Sequence, residues 1–173
     1  MKTFNYHSVN DVKEASKLAS PNSAFLAGGM TTIPSMKLGL ASYKDVIDIK
    51  NIKKLSGIKV SGKSVTIGAT TKHAEVAASK DVKKAIPALA KLAGNIGDAQ
   101  VRNRGTIGGS ISNNDPSACY PSACMALNAV IHTNSRKIPA EKFFTCLFET
   151  ALKKGEVVEA VEFEVPEKAD YEK

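Results

Sequence analysis

The sequence predicts an α+β fold in two parts, with a small parallel β-α-β subdomain at residues 1–55 and a larger, mainly antiparallel subdomain at residues 56–173. Two observations predict this division. In the first fifty or so residues, short apolar strands alternate with segments of helical period, which is typical of a parallel sheet. Further along, the strands come in pairs separated by turn residues, which is typical of antiparallel hairpins.

The first subdomain is predicted to contain three strands and two helices. The strands are short apolar runs, and the helices repeat apolar residues at a helical spacing, with Ser8 as the N-cap of the first helix. In chain order these elements are a strand over Lys2–His7, a helix over Val9–Leu18, a strand over Ala24–Ala27, a helix over Pro34–Leu40 and a strand over Val46–Ile49.

The second subdomain is predicted to begin with a hairpin that turns at Gly62 and to end with a long alternating strand. Helices and another hairpin lie between them, and Pro87 occupies the first turn of one helix, where its missing N–H costs little. In chain order we predict strands over Ile58–Val60 and Val65–Ile67, helices over Thr71–Ala78, Ile86–Ala93 and Pro121–Leu127, and strands over Ala129–Thr133, Arg136–Ile138 and Val157–Val165.

The stretch Gly94–Asn114 has no helical or strand period. It contains five of the 12 glycines, and Arg102 and Arg104 are two of only three arginines in the chain. An irregular stretch of this length in a compact domain is usually a binding loop or a disordered segment. The apolar residues Ile96 and Ile107 argue against disorder, so we expect a binding loop.

Composition argues against several classes of function. The net charge is +7, but nearly all of the cations are lysines scattered beside Asp and Glu, a pattern that does not favour nucleic-acid binding. The three cysteines lack the spacing or number for a disulfide framework, a zinc site or an iron–sulfur cluster, so any redox metal is expected on a partner. Lys or Asp interrupts every long apolar run, and the first ten residues do not resemble a leader; we therefore expect a cytoplasmic protein without a membrane span.

Two glycine-rich loops form the main candidate site. In "AGGMTT", Gly28-Gly29 follows a strand, so that backbone N–H groups can converge on a phosphate, although the segment is neither a P-loop nor a G-x-G-x-x-G fingerprint. "RNRGTIGGSISNNDP" carries a second Gly-Gly, hydroxyl and amide donors and two guanidiniums. Together the loops are predicted to clamp an extended diphosphate ligand, with ordinary turns as the alternative.

The histidines and cysteines outside these loops do not indicate a catalytic site. His73 lies on a predicted amphipathic helix and is expected to be a surface or capping residue. His7 and His132 have no carboxylate at a metal-ligand spacing. Cys119 and Cys124 are expected to be small buried thiols.

Three motifs resemble one known family, the flavin-binding medium subunit of molybdenum-containing hydroxylases of the carbon monoxide dehydrogenase and xanthine dehydrogenase type. They are "AGGMTTIPSMKLGL", "IGATTKHAEV" and "VRNRGTIGGSISNNDPSACYP", in the family's order and spacing. The resemblance covers essentially the whole chain. It implies a two-subdomain FAD-binding fold, shared with cell-wall reductases and vanillyl-alcohol oxidases, with FAD between the subdomains.

The resemblance also implies which residues bind the FAD diphosphate. The family's two loops fall on Ala27, Gly28, Gly29, Met30 and Thr31, and on Thr106, Ile107, Gly108, Gly109 and Ser110. Asn114 and Cys119 complete the predicted cofactor-binding set. The family usually has an aspartate at the Cys119 position, where the carboxylate helps to position the flavin.

The implied function is electron transfer within an oxidoreductase complex. In such complexes a large molybdenum-cofactor subunit oxidises the substrate, and a small iron–sulfur subunit passes electrons to the flavin, which reduces an acceptor. The family chain runs on past a Y-x-K segment into a C-terminal domain that we expect to be absent here. Two alternatives stay open, a stand-alone or vestigial FAD-binding module and a flavin-dependent cell-wall precursor reductase.

Overall fold

The computed structural model of the chain describes residues 1–172. Within these residues, ten strands form three sheets, and nine α-helices pack around them. The strands are β1 (Asn5–Ser8), β2 (Ser23–Leu26), β3 (Asp45–Asp48), β4 (Ile58–Ser61), β5 (Ser64–Gly68), β6 (Val130–Thr133), β7 (Lys137–Pro139), β8 (Phe144–Cys146), β9 (Glu149–Thr150) and β10 (Val158–Glu164). The helices are α1 (Val12–Leu18), α2 (Thr32–Lys37), α3 (His73–Ala78), α4 (Lys80–Ala85), α5 (Pro87–Gly94), α6 (Ala99–Arg104), α7 (Ile107–Asn113), α8 (Cys119–Ala126) and α9 (Ala140–Phe143).

The first sheet is parallel, as predicted, with the strand order β1-β3-β2. The central strand β3 is the most buried because both of its edges are paired, and Ile47 lies in a core with Val12 of α1. The cap of α1 differs from the prediction. Asp11, not Ser8, is the N-cap, and its Oδ1 accepts the Glu14 N–H at 2.8 Å.

The second sheet is antiparallel, with the order β4-β5-β10-β6-β7. The hairpin predicted at Gly62 and the one predicted from the strands Ala129–Thr133 and Arg136–Ile138 both form. Strand β10 pairs with both β5 and β6 at the centre of the sheet. Alternate residues of β5 and β10 face a core that they share with α3, α5 and α7. This α+β arrangement agrees with the fold predicted from the sequence.

The prediction for Gly94–Asn114 was wrong in one respect, because most of this stretch is helical. Two short helices, α6 and α7, replace the expected irregular loop. Each has a side-chain N-cap: Asp98 accepts the Val101 N–H at 2.8 Å, and Thr106 accepts the Gly109 N–H at 3.2 Å. Helices of six or seven residues are too short to show a clear hydrophobic period.

The loop before β10 joins the two sheets. Ser16 of α1 donates its hydroxyl hydrogen to the carbonyl oxygen of Gly155 at 2.7 Å. Val157 then packs into the first core, and Val158 packs into the second. The two halves of the chain are therefore held together at residues that are far apart in sequence.

No helix within the described residues 1–172 is long and apolar enough to cross a membrane.

Candidate cofactor-binding site

A cleft of about 410 Å³ lies between the end of β2 and the helices α6 and α7. The first glycine loop forms one wall of the cleft, and the residues around the N-terminus of α7 form the other. Its lining residues are Ala24, Phe25, Ala27, Gly28, Gly29, Met30, Thr31, Thr32, Tyr43, Ile49, Ala69, His73, Ile96, Val101, Gly105, Thr106, Gly108, Gly109, Ser110, Ser112, Asn113, Asp115, Ala118, Leu152, Glu156, Val157 and Val158.

The first glycine loop lines this cleft and has unpaired backbone N–H groups within the described residues. Gly29 has φ +75°, in the left-handed region that favours glycine, and it turns the chain from β2 towards α2. The carbonyl oxygens of Gly29 and Thr31 accept hydrogen bonds from Ile33 and Ser35 at 3.1 Å. By contrast, hydrogen bonding within residues 1–172 leaves the N–H groups of residues 28–31 without an acceptor. Successive free N–H groups of this kind form an anion-binding concavity.

The two glycine loops touch each other through their backbones. A Cβ on Gly28 would collide with the carbonyl group of Arg104, whose carbon would be 2.8 Å away, and with the Gly105 Cα at 2.9 Å. Gly105 is itself confined, because its own Cβ would lie 2.6 Å from Nε2 of His73. The contact between Gly28 and the Arg104–Gly105 backbone requires glycine at residue 28 for packing. This requirement is separate from the expected close approach of a diphosphate.

In the second loop, by contrast, the backbone N–H groups are used within the protein. Ile107 donates to the Thr71 carbonyl oxygen at 3.2 Å, Gly108 donates to the Ala69 carbonyl oxygen at 2.9 Å, and Gly109 donates to the Thr106 hydroxyl. These bonds fix the start of α7 against the end of β5. The second loop therefore offers a fixed wall and the Ser110 hydroxyl rather than a row of free amides.

The two glycines of the second loop have different surroundings. A Cβ on Gly108 would lie 2.6 Å from the Ala69 Cβ, so Gly108 is required for helix-to-strand packing. A Cβ on exposed Gly109 would meet only Thr106 Oγ1 within 4 Å, at 3.0 Å. The Thr106 hydroxyl is therefore the one group close to an added Cβ at Gly109 among the described residues, and Gly109 lines the cleft.

The structure brings nine of the twelve predicted site residues to the cleft. These are Ala27, Gly28, Gly29, Met30, Thr31, Thr106, Gly108, Gly109 and Ser110.

The other three predicted residues are outside the cleft lining. Ile107 is buried in the second core. Asn114 donates its amide to the carbonyl oxygens of Cys146 and Glu149, each at 2.8 Å, and so holds the β8–β9 hairpin. Cys119 accepts a hydrogen bond from the Tyr171 hydroxyl at 3.3 Å.

Neither loop arginine lies on the cleft. The Arg102 guanidinium donates to the carbonyl oxygens of Ile96 and Gly97, and Arg104 lines a different cavity. Among the described residues, the cleft lining contains no Lys or Arg. An anion in this cleft would therefore depend on backbone N–H groups and hydroxyls.

Sequence reasoning missed a buried polar pair near the cleft. His73 is 4% exposed rather than a surface residue, and its ring lies 5.3 Å from that of Tyr120. Burial lowers the pKa of His73 to about 4 and raises the pKa of Tyr120. The Nδ1 of His73 and the hydroxyl of Tyr120 are buried and have no partner within the described residues. The motif "IGATTKHAEV" was the available signal for this histidine.

Glu156 is a second cleft-lining residue that the sequence did not single out. Its carboxylate accepts hydrogen bonds from Arg136 Nε at 2.8 Å, from the Thr133 hydroxyl at 2.8 Å and from the Lys153 N–H at 2.8 Å. The Arg136 bond and the other donors outweigh desolvation and lower the pKa of Glu156 to about 2. Because its carboxylate is hydrogen-bonded to these protein groups, we assign Glu156 a structural role in the cleft wall.

The comparison with known proteins agrees with this geometry. The family model described as "FAD binding domain in molybdopterin dehydrogenase" matches residues 2–167. The chain therefore belongs to this family, and FAD is its cofactor.

Named relatives and a solved structure fit the same class. The glyceraldehyde dehydrogenase medium chain of Sulfolobus acidocaldarius is 38% identical over 168 residues, which cover 94% of this chain and 60% of the relative. The carbon monoxide dehydrogenase medium chain of Hydrogenophaga pseudoflava is 39% identical over 170 residues, which cover 94% of this chain and 58% of the relative.

A structure of carbon monoxide dehydrogenase from Hydrogenophaga pseudoflava, lacking the Mo-pyranopterin moiety of its cofactor, superimposes with a TM-score of 0.92 at 36% identity. The match covers 95% of this chain and 60% of the solved chain. The chain thus spans about 60% of the length of these proteins.

Proposed function

We propose that this chain forms the FAD-binding part of an electron-transfer subunit in a molybdenum hydroxylase complex. The row of free N–H groups at residues 28–31 is the observation that carries the assignment to the cleft. These groups bind the FAD diphosphate, and the wall made by Thr106, Gly109 and Ser110 closes on it from the other side.

The residues of the cleft suit a dinucleotide with a diphosphate bridge. Hydroxyl and backbone N–H groups can donate hydrogen bonds to the diphosphate oxygens without a cation. The apolar Ile96 and Val101 supply a surface for a ring system. FAD supplies the capacity to accept electrons one at a time and to release them in pairs, while the chain holds and orients the cofactor. We retain Ile107, Asn114 and Cys119 in the proposed site through their positions in the motifs.

The boundary near residue 55 is also part of this proposal. Residues 1–55 provide the first glycine loop and residues 56–173 provide the second, so that FAD lies between two subdomains. The partners are a large molybdenum-cofactor subunit and a small iron–sulfur subunit, and the complex works in the cytoplasm. The proposal of partner subunits is supported by the medium-chain names of the relatives.

The first experiment is an FAD titration of the purified chain, followed by absorbance and by quenching of flavin fluorescence. Saturable binding at one FAD per chain is expected. Absence of binding would overturn the assignment of the cleft.

Reconstitution with the large and small subunits then tests the electron-transfer role. Substrate-dependent reduction of an acceptor that requires this chain is the expected result. FAD binding without such reduction would leave the alternative of a stand-alone FAD-binding module.

A further inference from the structure

The solvent-facing side of α2 carries apolar residues, which is unusual for a helix at a protein surface. Lys37 and Leu38 follow Pro34 by three and four residues, so the three lie on one face, and all are exposed. Leu38 is 75% exposed, and Leu40, just beyond the helix, is 79% exposed. The exposed face of such a helix is normally polar. Neighbouring exposed apolar residues, unlike scattered ones, are typical of a surface that binds another molecule.

The backbone holds the two leucines in a fixed turn at the end of α2. Gly39 lies between them with φ +76°, the left-handed conformation that commonly ends a helix. The Leu38 N–H donates to the Pro34 carbonyl oxygen at 2.9 Å. The Leu40 N–H donates to the Ser35 carbonyl oxygen, also at 2.9 Å. Because this turn is already ordered, covering the leucines with a partner costs little backbone entropy.

The charged side chains of this segment are all positive. Residues 24–44 contain no Asp or Glu, and Lys37 and Lys44 are both exposed. Within residues 1–172, neither lysine lies in ion-pairing distance of an acidic side chain. The next acid along the chain, Asp45, is hydrogen-bonded to Asn5 and His7. An apolar centre beside unpaired cations complements a protein surface that has an apolar pocket and an acidic rim.

The segment with the two leucines adjoins the cofactor cleft. The chain leaves the cleft lining at Thr32, the first residue of α2, and returns to it at Tyr43. Met30, which is 37% exposed, also lines the cleft. A helix of the length of α2 spans only about 9 Å. A partner seated on the leucines therefore lies beside the cleft.

We propose that Lys37, Leu38, Leu40 and Lys44, here called the α2 surface, dock the iron–sulfur subunit of the complex. The two leucines are the apolar anchors, and the two lysines contact acidic residues at the rim of the partner's binding site. Because the α2 surface adjoins the cleft, docking here brings the electron donor next to the cofactor. The assignment rests on the electron-transfer function proposed above, but not on which cleft residues bind FAD.

The test is a binding titration of the full chain with the purified iron–sulfur subunit, followed by biolayer interferometry in buffer that contains FAD. We compare the wild type with the double variant Leu38→Ser/Leu40→Ser. The matched control is Val60→Ser, which removes an exposed apolar residue of β4, outside the cleft lining. Thermal unfolding shows that each variant is folded, and the single variants replace the double variant if it is not.

The double variant is expected to bind the iron–sulfur subunit at least tenfold more weakly, while the control stays within twofold of the wild type. FAD affinity should be unchanged in both, because Leu38 and Leu40 do not line the cleft. Equal affinity of the wild type and the double variant for the subunit, or no binding by the wild type, would overturn the docking proposal. FAD binding that persists in either case would leave the assignment of the cleft intact, so the two proposals fail separately.

A second comparison tests the two lysines. Lys37→Gln/Lys44→Gln should slow association with the subunit at low salt and make the association rate less dependent on ionic strength. The control Lys83→Gln, which removes an exposed cation of α4, should change neither property. Equal salt dependence in all three proteins would overturn the assignment of an acidic rim to the partner.

Sedimentation of the chain alone, and of the chain with anionic lipid vesicles, tests the other possible occupants of the α2 surface. A lipid surface fits less well, because membrane-surface helices bury a large apolar face and α2 has six residues. If the double leucine variant lost self-association or vesicle binding but kept its affinity for the subunit, the surface would belong to a second copy or to a membrane. Either outcome would overturn the proposal.

Discussion

Gly28 packs directly against the backbone of Arg104, so that the two glycine loops are in van der Waals contact across the two halves of the fold. The Arg104 carbonyl carbon would be only 2.8 Å from a Cβ at residue 28. The Arg104 carbonyl group and the Gly105 Cα, which such a Cβ would meet, both belong to the backbone, and backbone cannot rotate away as a side chain could. The first loop is therefore positioned by the second, and residues 28–31, whose N–H groups have no acceptor within the described residues, line the cleft.

We predict that Gly28→Ala destabilises the fold itself. The added methyl group must displace the Arg104–Gly105 backbone, and overpacking of this kind costs about 1–3 kcal/mol of unfolding free energy. Urea unfolding measures the change. Gly94→Ala is the matched control, since its Cβ would meet only the Ala77 Cβ, at 3.8 Å. Equal stability of the two variants would contradict the packing argument.

We predict that Gly109→Val abolishes FAD retention and leaves the fold largely intact. The new side chain would lie at the cleft wall, where the diphosphate is proposed to lie, and its Cβ would meet only the Thr106 hydroxyl, at 3.0 Å. We expect the dissociation constant for FAD to rise at least tenfold, about 1.4 kcal/mol. Flavin fluorescence measures binding, and circular dichroism measures the fold.

A smaller substitution, Gly109→Ala, is compared with Gly94→Ala in the same FAD-binding assay. Because both replace a helical glycine with alanine, a loss of FAD binding in Gly109→Ala alone would be a local effect on the cleft. Unchanged flavin content in Gly109→Val would remove the second loop from the proposed site.

The elements that could be predicted from the sequence are those with a local signal. The hairpin at Gly62 and the parallel sheet have clear turn residues and periods, and both were confirmed. Helices α6 and α7 were missed because neither is long enough for a period to emerge, although Asp98 and Thr106 are ordinary cap residues.

The candidate site could also be predicted only in part from the sequence. The glycine motifs predicted the two loops, but not the roles of the individual residues within them. The Arg102 guanidinium was expected near an anion, yet it is occupied by two carbonyl groups of the preceding turn. His73 was expected at the surface, yet Gly105 packs against its ring. Both outcomes depend on contacts between chain segments, which a single sequence does not reveal.

We predict that Glu156→Gln destabilises the protein in a pH-dependent way. Neutralising the carboxylate weakens its bonds to Arg136, Thr133 and Lys153 N–H, and hydrogen bonds to a charged group contribute about 1.5–3 kcal/mol. The pKa of Glu156 is about 2 in the folded state, below its ordinary value of 4.5. Its contribution is therefore full above the ordinary value and declines as the pH falls towards 2.

Urea unfolding at pH 7, 4 and 2.5, values that bracket this decline, tests the prediction. The stability difference between the wild type and Glu156→Gln should shrink at the lower pH values. Glu141→Gln, at an exposed position of α9, should change little at any of them. If the stability difference between the wild type and Glu156→Gln did not change with pH, the charge of Glu156 would not be the source of its contribution to stability.

Finally, we predict that His73 stays neutral at physiological pH. Desolvation lowers the pKa of its ring from 6.5 to about 4, because no neighbouring group stabilises the imidazolium. The unfolded chain takes up a proton on this ring below its ordinary pKa, while the folded chain does not. Stability should therefore decrease as the pH falls from about 6.5 to 4, and the loss should be complete below the folded pKa.

NMR titration of the histidine ring protons tests this prediction directly, with His73→Gln used to assign the resonance. The His73 signal should remain constant from pH 8 to about 5 and should shift only near the lowered pKa, before acid unfolding. The same variant should lose the part of the pH dependence of unfolding that arises from this ring. A His73 signal that titrates at its ordinary pKa would mean that the ring is solvated, and that Gly105 and Tyr120 do not enclose it as described.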